Sequence, residues 1–269
     1  MFGFFSRSRS SSSSSKCPVT EERRLAIDKS FNRLLRIFGA DYVKSKRVLL
    51  PREEDFPFEF IGDEENAYEI LDVIAPQMDL NIDDIEIDFY TEAETEIKTG
   101  GAFHDRIFLQ AAENADFSAG LYWGKQADGK YHIGLETKHL NNAQQLIATL
   151  AHELAHVKLL GEERIKKNDE TLTDLATIVF GLGVFGANTA FQFRNSFDSW
   201  GYSRTGYLTQ MDWGYALALF AYIREEKTPG WINFLTLNVR EDFKQSERFI
   251  RDNEDIILKS RGGKNQEKI

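Results

Sequence analysis

Residues 151–156 read Ala-His-Glu-Leu-Ala-His, and the two histidines, four positions apart, carry more chemistry than any other part of the chain. On a helix that turns about 100° per residue, His152 and His156 leave the axis within about 40° of each other. Two neutral imidazoles on one face can converge on a single ion, and they suit Zn2+. Glu153 points about 100° away from His152, near enough to reach a water on that ion without itself ligating it. Zinc brings the pKa of its water down to about 7, so a neighbouring carboxylate can take the proton as the oxygen attacks a carbonyl. The same carboxyl then returns the proton to a leaving amine. The chemistry to expect of His152, Glu153 and His156 is therefore amide hydrolysis, with Glu153 as the general base.

A catalytic zinc needs a third protein ligand and one position left for water or substrate. Downstream, the stretch NDETLTDLATIVFGLG carries Glu170 and Asp174, again four apart and so on one face of a helix. HExxH followed by ExxxD resembles the gluzincin branch of the zincin metallopeptidases, and residues 151–174 carry that resemblance. The resemblance implies one zinc per chain, with Glu170 as third ligand and Asp174 bracing a ligand histidine. Such a brace sets imidazole tautomer and basicity. Only thirteen residues separate His156 from Glu170, fewer than in the thermolysin-like pattern, so the connection must be tight or Asp174 takes the ligand's place instead. The metzincin branch is disfavoured, because VKLLGEERIK follows His156 with no third histidine at the required spacing. A site of paired cysteines is excluded by the single Cys17.

The elements that must position these residues can be read from periodicity. Asn141 and Asn142 can cap a helix running to Gly161, with Ala143, Ile147, Leu150, Leu154 and Val157 as its buried stripe. Before it, GLYWGKQADGKYHIGLE over 120–136 has two β-rich runs around Asp128 and Gly129, whose positive φ angles suit a hairpin. In zincins the strand ahead of the active-site helix is the sheet edge that pairs with an extended peptide. Tyr131 to Glu136 stands in that place, so the resemblance implies β-augmentation there.

Further helices are expected from Asp169 to about Phe180, from near Thr209 with Asp212 in a capping box, and from near Asn238 with Glu241 similarly placed. An amphipathic helix with Leu25, Ile27, Phe31, Leu34, Leu35 and Phe38 on one stripe should stop at Gly39. Another fits Glu64 to Met78, and Ile82 to Tyr90 alternates as a strand does. Gly181, Gly183 and Gly186 would let their segment approach the active-site helix closely. They do not form a phosphate loop, since no lysine with Ser or Thr follows. Trp213, Tyr215, Phe220 and Tyr222 read as core. Tyr202, Arg204 and Tyr207 are candidates to donate to an oxyanion, though each reads first as an ordinary loop or core residue, and His104 and His132 read as hydrogen-bonded structure.

The fold class expected is α+β: a mainly helical, zincin-like domain over residues 20–259, with a small mixed sheet and hairpin before the active-site helix. Residues 1–19 include a serine-rich basic tract that reads as a flexible leader, and 260–269 as a polar tail. With 42% hydrophobic residues, the 269-residue chain can bury a substantial core. A net charge of −10 disfavours nucleic acid as partner, and no stretch has the length and apolarity of a membrane span. One cysteine and no apparent signal peptide point to the reducing cytoplasm. The expected partner is a peptide or protein substrate. The alternatives are a catalytically silent zincin-like module for metal or protein binding, and a metal-free helical scaffold; oligomeric state and cleavage specificity are not readable.

Overall fold

The computed structural model describes residues 15–91, 120–195 and 208–258, which form a mainly helical α+β fold with one three-stranded mixed sheet. The leader to residue 14, the tail from 259, His104, Tyr202, Arg204 and Tyr207 lie outside the described residues. The packed chain begins earlier than Thr20. Ser15 Oγ donates to Asp252 at 2.6 Å, and Val19 is buried.

Helix α1 (Glu21–Phe38) starts where Thr20 accepts from the Arg23 N–H, and it ends at Gly39, whose φ of 91° suits a residue without a Cβ. Ile27, Phe31 and Leu34 are buried, but Leu25 is exposed, contrary to the expected stripe. Nine residues turn a helix by 900°, so Leu25 stands about 180° from Leu34. A short α2 (Ala40–Ser45) follows, and then α3 (Glu64–Gln77), capped by Asp63. The run expected as one strand from Ile82 divides. Asn81 caps a 3-10 turn at Ile82–Asp84, and β1 occupies Ile85–Tyr90.

Strands β2 (Gly120–Lys125) and β3 (Tyr131–Glu136) form the hairpin, closed by Gln126 N–H to Lys130 O; Gly129 alone in the turn takes positive φ. β3 is not the edge that the resemblance implies. The order is β1-β3-β2, with β1 parallel and β2 antiparallel to it, so both of its ladders are occupied. The physical reason is burial: Ile133 and Leu135 are fully covered, and β1 brings Ile85 and Ile87 beside them. Among the described residues, the edge strand against the helix that carries His152 and His156 is β2.

That helix, α4 (Ala143–His156), is capped by Asn142 and buries Leu146, Ile147, Leu150 and Leu154, with Ala143 only half-buried. It does not stay α-helical to Gly161. Val157–Gly161 widens into a π turn closed by Glu162 N–H to Val157 O at 2.9 Å. Asp169 then caps α5 (Glu170–Val179), which packs on α1 and α4. α6 (Gly183–Asn195) lies against α4, although Gly181, just before it, and Gly186 within it meet other partners. A Cβ on Gly181 would sit 2.1 Å from Arg47 O, and one on Gly186 would sit 2.6 Å from the Trp213 ring. α7 (Gln210–Ile223) has the expected capping box of Thr209 and Asp212. α8 (Leu237–Asp252) starts after Thr236 without a side-chain cap, and Glu241 pairs with Lys244 instead of completing a box. Trp213, Tyr215 and Phe220 are core, while Tyr222 is half-buried.

Candidate metal centre

His152 and His156 share one face of α4, their ring centroids 4.9 Å apart with an interplanar angle of 80°. α5 crosses that face and delivers a carboxylate to both. Glu170 Oε2 lies 3.1 Å from His152 Nε2 and 3.3 Å from His156 Nε2. These three atoms all fall within 4.8 Å of one another. Asp174, one turn further along α5, meets the other side of the first ring, with Oδ1 at 2.9 Å from His152 Nδ1. Of the two acids the sequence offered, Glu170 therefore faces the Nε2 atoms and Asp174 faces the outer nitrogen of His152.

The tight connection is made by the π turn and a short loop, with Leu159 and Ile165 buried beneath it and joined by Ile165 N–H to Leu159 O. Two residues overlooked in the sequence act on the centre. Asn168 donates its Nδ2 to Glu170 Oε1 at 2.7 Å, which leaves Oε2 directed at the imidazoles. Tyr122, from β2, lays its ring nearly parallel to His156, at 5.8 Å between centroids and 13° between planes. Position two before a candidate ligand was a usable signal for Asn168; nothing local to β2 tied Tyr122 to a helix more than twenty residues away.

Charged groups crowd the centre. Glu153 is buried, which pushes its carboxyl up; the two imidazoles and the Tyr122 backbone N–H draw it down, and Glu170 adds to the rise. Burial also works against ionised Glu170, but hydrogen bonds from His152 and His156 outweigh it and hold that carboxyl well below the usual range. Burial alone would lower His152, yet Asp174 and Glu170 raise it well above an ordinary histidine. Burial pushes the Tyr122 hydroxyl up to about 12. Among the described residues, no lysine or arginine ion pair neutralises Glu153 or Glu170. His156 Nδ1 is buried with no hydrogen-bond partner.

A divalent cation fits this donor set. In tetrahedral zinc with bonds of 2.0–2.2 Å, ligand atoms stand roughly 3.3–3.5 Å apart, close to the two separations from Glu170 Oε2. Two nitrogens and one oxygen suit zinc, and the ion's charge would offset the carboxylates. His132, by contrast, is held between Asp88 at 2.6 Å and Asp128 at 2.9 Å through opposite ring nitrogens, so those three side chains do not converge on one point. No family of known proteins, no curated protein and no solved structure matches this chain.

Proposed function

We propose that the chain is a zinc-dependent peptidase of the zincin type, acting on a peptide or protein in the cytoplasm. The observation that carries this reading is the meeting of His152 Nε2, His156 Nε2 and Glu170 Oε2, with the buried Glu153 beside them on the same helix. Zinc bound there would supply Lewis acidity, polarising a carbonyl and acidifying a water. His152, His156 and Glu170 hold the ion. Asp174 accepts from His152 Nδ1, which keeps the Nε2 lone pair free to ligate. Glu153 takes a proton from the attacking water and delivers it to the amine that leaves. Its burial raises its basicity above that of a surface carboxylate.

Two further observations bear on substrate and place. β2 is an edge strand of the described sheet and lies against α4, so an extended peptide added to it would run past the centre. No described helix is long and apolar enough to cross a membrane, and a lone cysteine suits a reducing compartment.

The test compares wild type with Glu153→Gln on a mixed peptide library, with zinc measured on the protein as purified. Close to one zinc on each protein, with cleavage by wild type alone, is the expected result. Zinc on both with equal silence would replace the peptidase reading by a zinc-binding module without turnover. Absence of zinc, with no rise in melting temperature when zinc is added, would remove the metal altogether.

A further inference from the structure

The two histidines of the centre are supported in different ways. His152 has its outer nitrogen against the Asp174 carboxylate, at 2.9 Å. His156 is buried, its Nδ1 finds no partner among the described residues, and so no described hydrogen bond on that side sets the rotation of its ring. What lies on that ring is the aromatic face of Tyr122, nearly parallel at 13°. The tyrosine is itself seated by Gly161 at the end of the π turn. A Cβ on Gly161 would fall 2.9 Å from the Tyr122 hydroxyl oxygen and 2.7 Å from Tyr131 Cε1, so only a glycine leaves both rings in place. Tyr131 closes the same corner by donating its hydroxyl to Gly161 O at 3.1 Å.

We infer that Tyr122 is a positioning residue for His156: its ring, seated by Gly161, does for the second imidazole what Asp174 does for the first. The inference rests on the proposed metal centre and deepens it. Imidazole rotation decides whether the Nε2 lone pair points at the ion; loss of a hydrogen-bonded support changes metal affinity by about 10–100-fold, and the low end of that span is the expectation for a ring contact. An aromatic face can serve in a buried place where no acceptor is offered, because stacking fixes the plane of the ring. The hydroxyl lies at the Gly161 end of the ring, and it is the ring that faces His156. Phenylalanine should therefore substitute for Tyr122, while an aliphatic residue should not.

The experiment uses the full chain as wild type, Tyr122→Phe, Tyr122→Leu and Gly161→Ala, the last changing no residue that touches a ligand atom. Two readouts are taken: the affinity and visible absorption spectrum of added Co2+, and the nuclear Overhauser contacts of the His156 ring protons with neighbouring side chains in metal-free protein. The expected result is wild-type behaviour for Tyr122→Phe. Tyr122→Leu should bind Co2+ about tenfold more weakly, with an altered spectrum and a changed set of contacts from the His156 ring. Gly161→Ala should move both readouts in the same direction by a smaller amount, and it carries the test if Tyr122→Leu fails to fold. Unchanged His156 contacts and Co2+ spectra in Tyr122→Leu and Gly161→Ala would overturn the inference. If wild type takes up no Co2+, the metal reading fails instead, and the metal-free contacts of the His156 ring alone decide whether Tyr122 orients it.

Discussion

Asp28 and Glu153 are both carboxyls withdrawn from water, and their surroundings differ in kind. Asp28 on α1 receives Arg24 Nη1 at 3.0 Å on one oxygen and the Tyr215 hydroxyl at 2.8 Å on the other. All three residues are buried, and the cluster carries one positive and one negative charge. Burial pushes the Asp28 carboxyl up, with Tyr215 and Arg24 drawing it back. Glu153 stands with Glu170 and Asp174 against two imidazoles, and the described ion pairs bring no guanidinium or ammonium to it or to Glu170. One cluster closes on itself and needs nothing from solution; in the other, Glu153 and Glu170 meet no lysine or arginine among the described residues, and three donors are aimed at a shared point. A buried charge is tolerated when its partners are built into the chain, and a cluster lacking them marks a place where something else is expected to bind.

The contrast can be broken most forcefully at the closed cluster. Asp28→Ala leaves Arg24 buried without its partner and should cost about 3–5 kcal/mol in urea unfolding, whereas replacing both, Arg24→Met with Asp28→Leu, should cost clearly less. Neither change should alter zinc uptake. A smaller effect is expected at the open cluster. Asp174→Asn removes the charge behind His152 and should weaken zinc binding by about tenfold in competition with a chromophoric chelator. Equal losses of stability and affinity at both clusters would erase the distinction between them.

The smallest effect belongs to His132, which lies closer to solvent. Its partial burial lowers its pKa, but hydrogen bonds to Asp128 and Asp88 more than offset that and raise it. A histidine raised in the folded state adds stability that is fully present below its unfolded value, about 6.5, and is lost as pH climbs through the raised folded value. The melting-temperature advantage of wild type over His132→Gln should therefore shrink as the pH is raised from about 6.5 through the alkaline range. A constant difference across that range would mean that protonation of His132 does not tie β1 to the hairpin.

Much of the fold is legible because its causes are local. Thr20, Asp63, Asn142, Asp169 and Thr209 each cap the helix that follows them, since a short polar side chain reaches its own first turn without help from elsewhere. Where the expectation missed, a distant partner was responsible. Asn238 and Glu241 have the right types for a capping box, yet α8 begins after Thr236, whose backbone N–H donates to Asn188 Oδ1 on α6 at 2.8 Å. The glycines of 181–186 were expected to admit the active-site helix, but what crowds Gly181 and Gly186 is Arg47 and Trp213. Sequence spacing announces that a backbone is bare without naming what will approach it.

For the centre the division is sharper. Four-residue spacing on a helix follows from the backbone alone, so placing His152 beside His156, and Glu170 on the same face as Asp174, required no tertiary information. Which acid would meet the Nε2 atoms depended on how α5 crosses α4, and that crossing is set by packing and by a π turn that periodicity does not reveal. The central position of β3 and the seat of Tyr122 on His156 were decided in the same way, by contacts between segments far apart in the chain. Hydrogen bonds within a turn constrain only neighbours, whereas the burial that orients whole elements is a property of the assembled molecule.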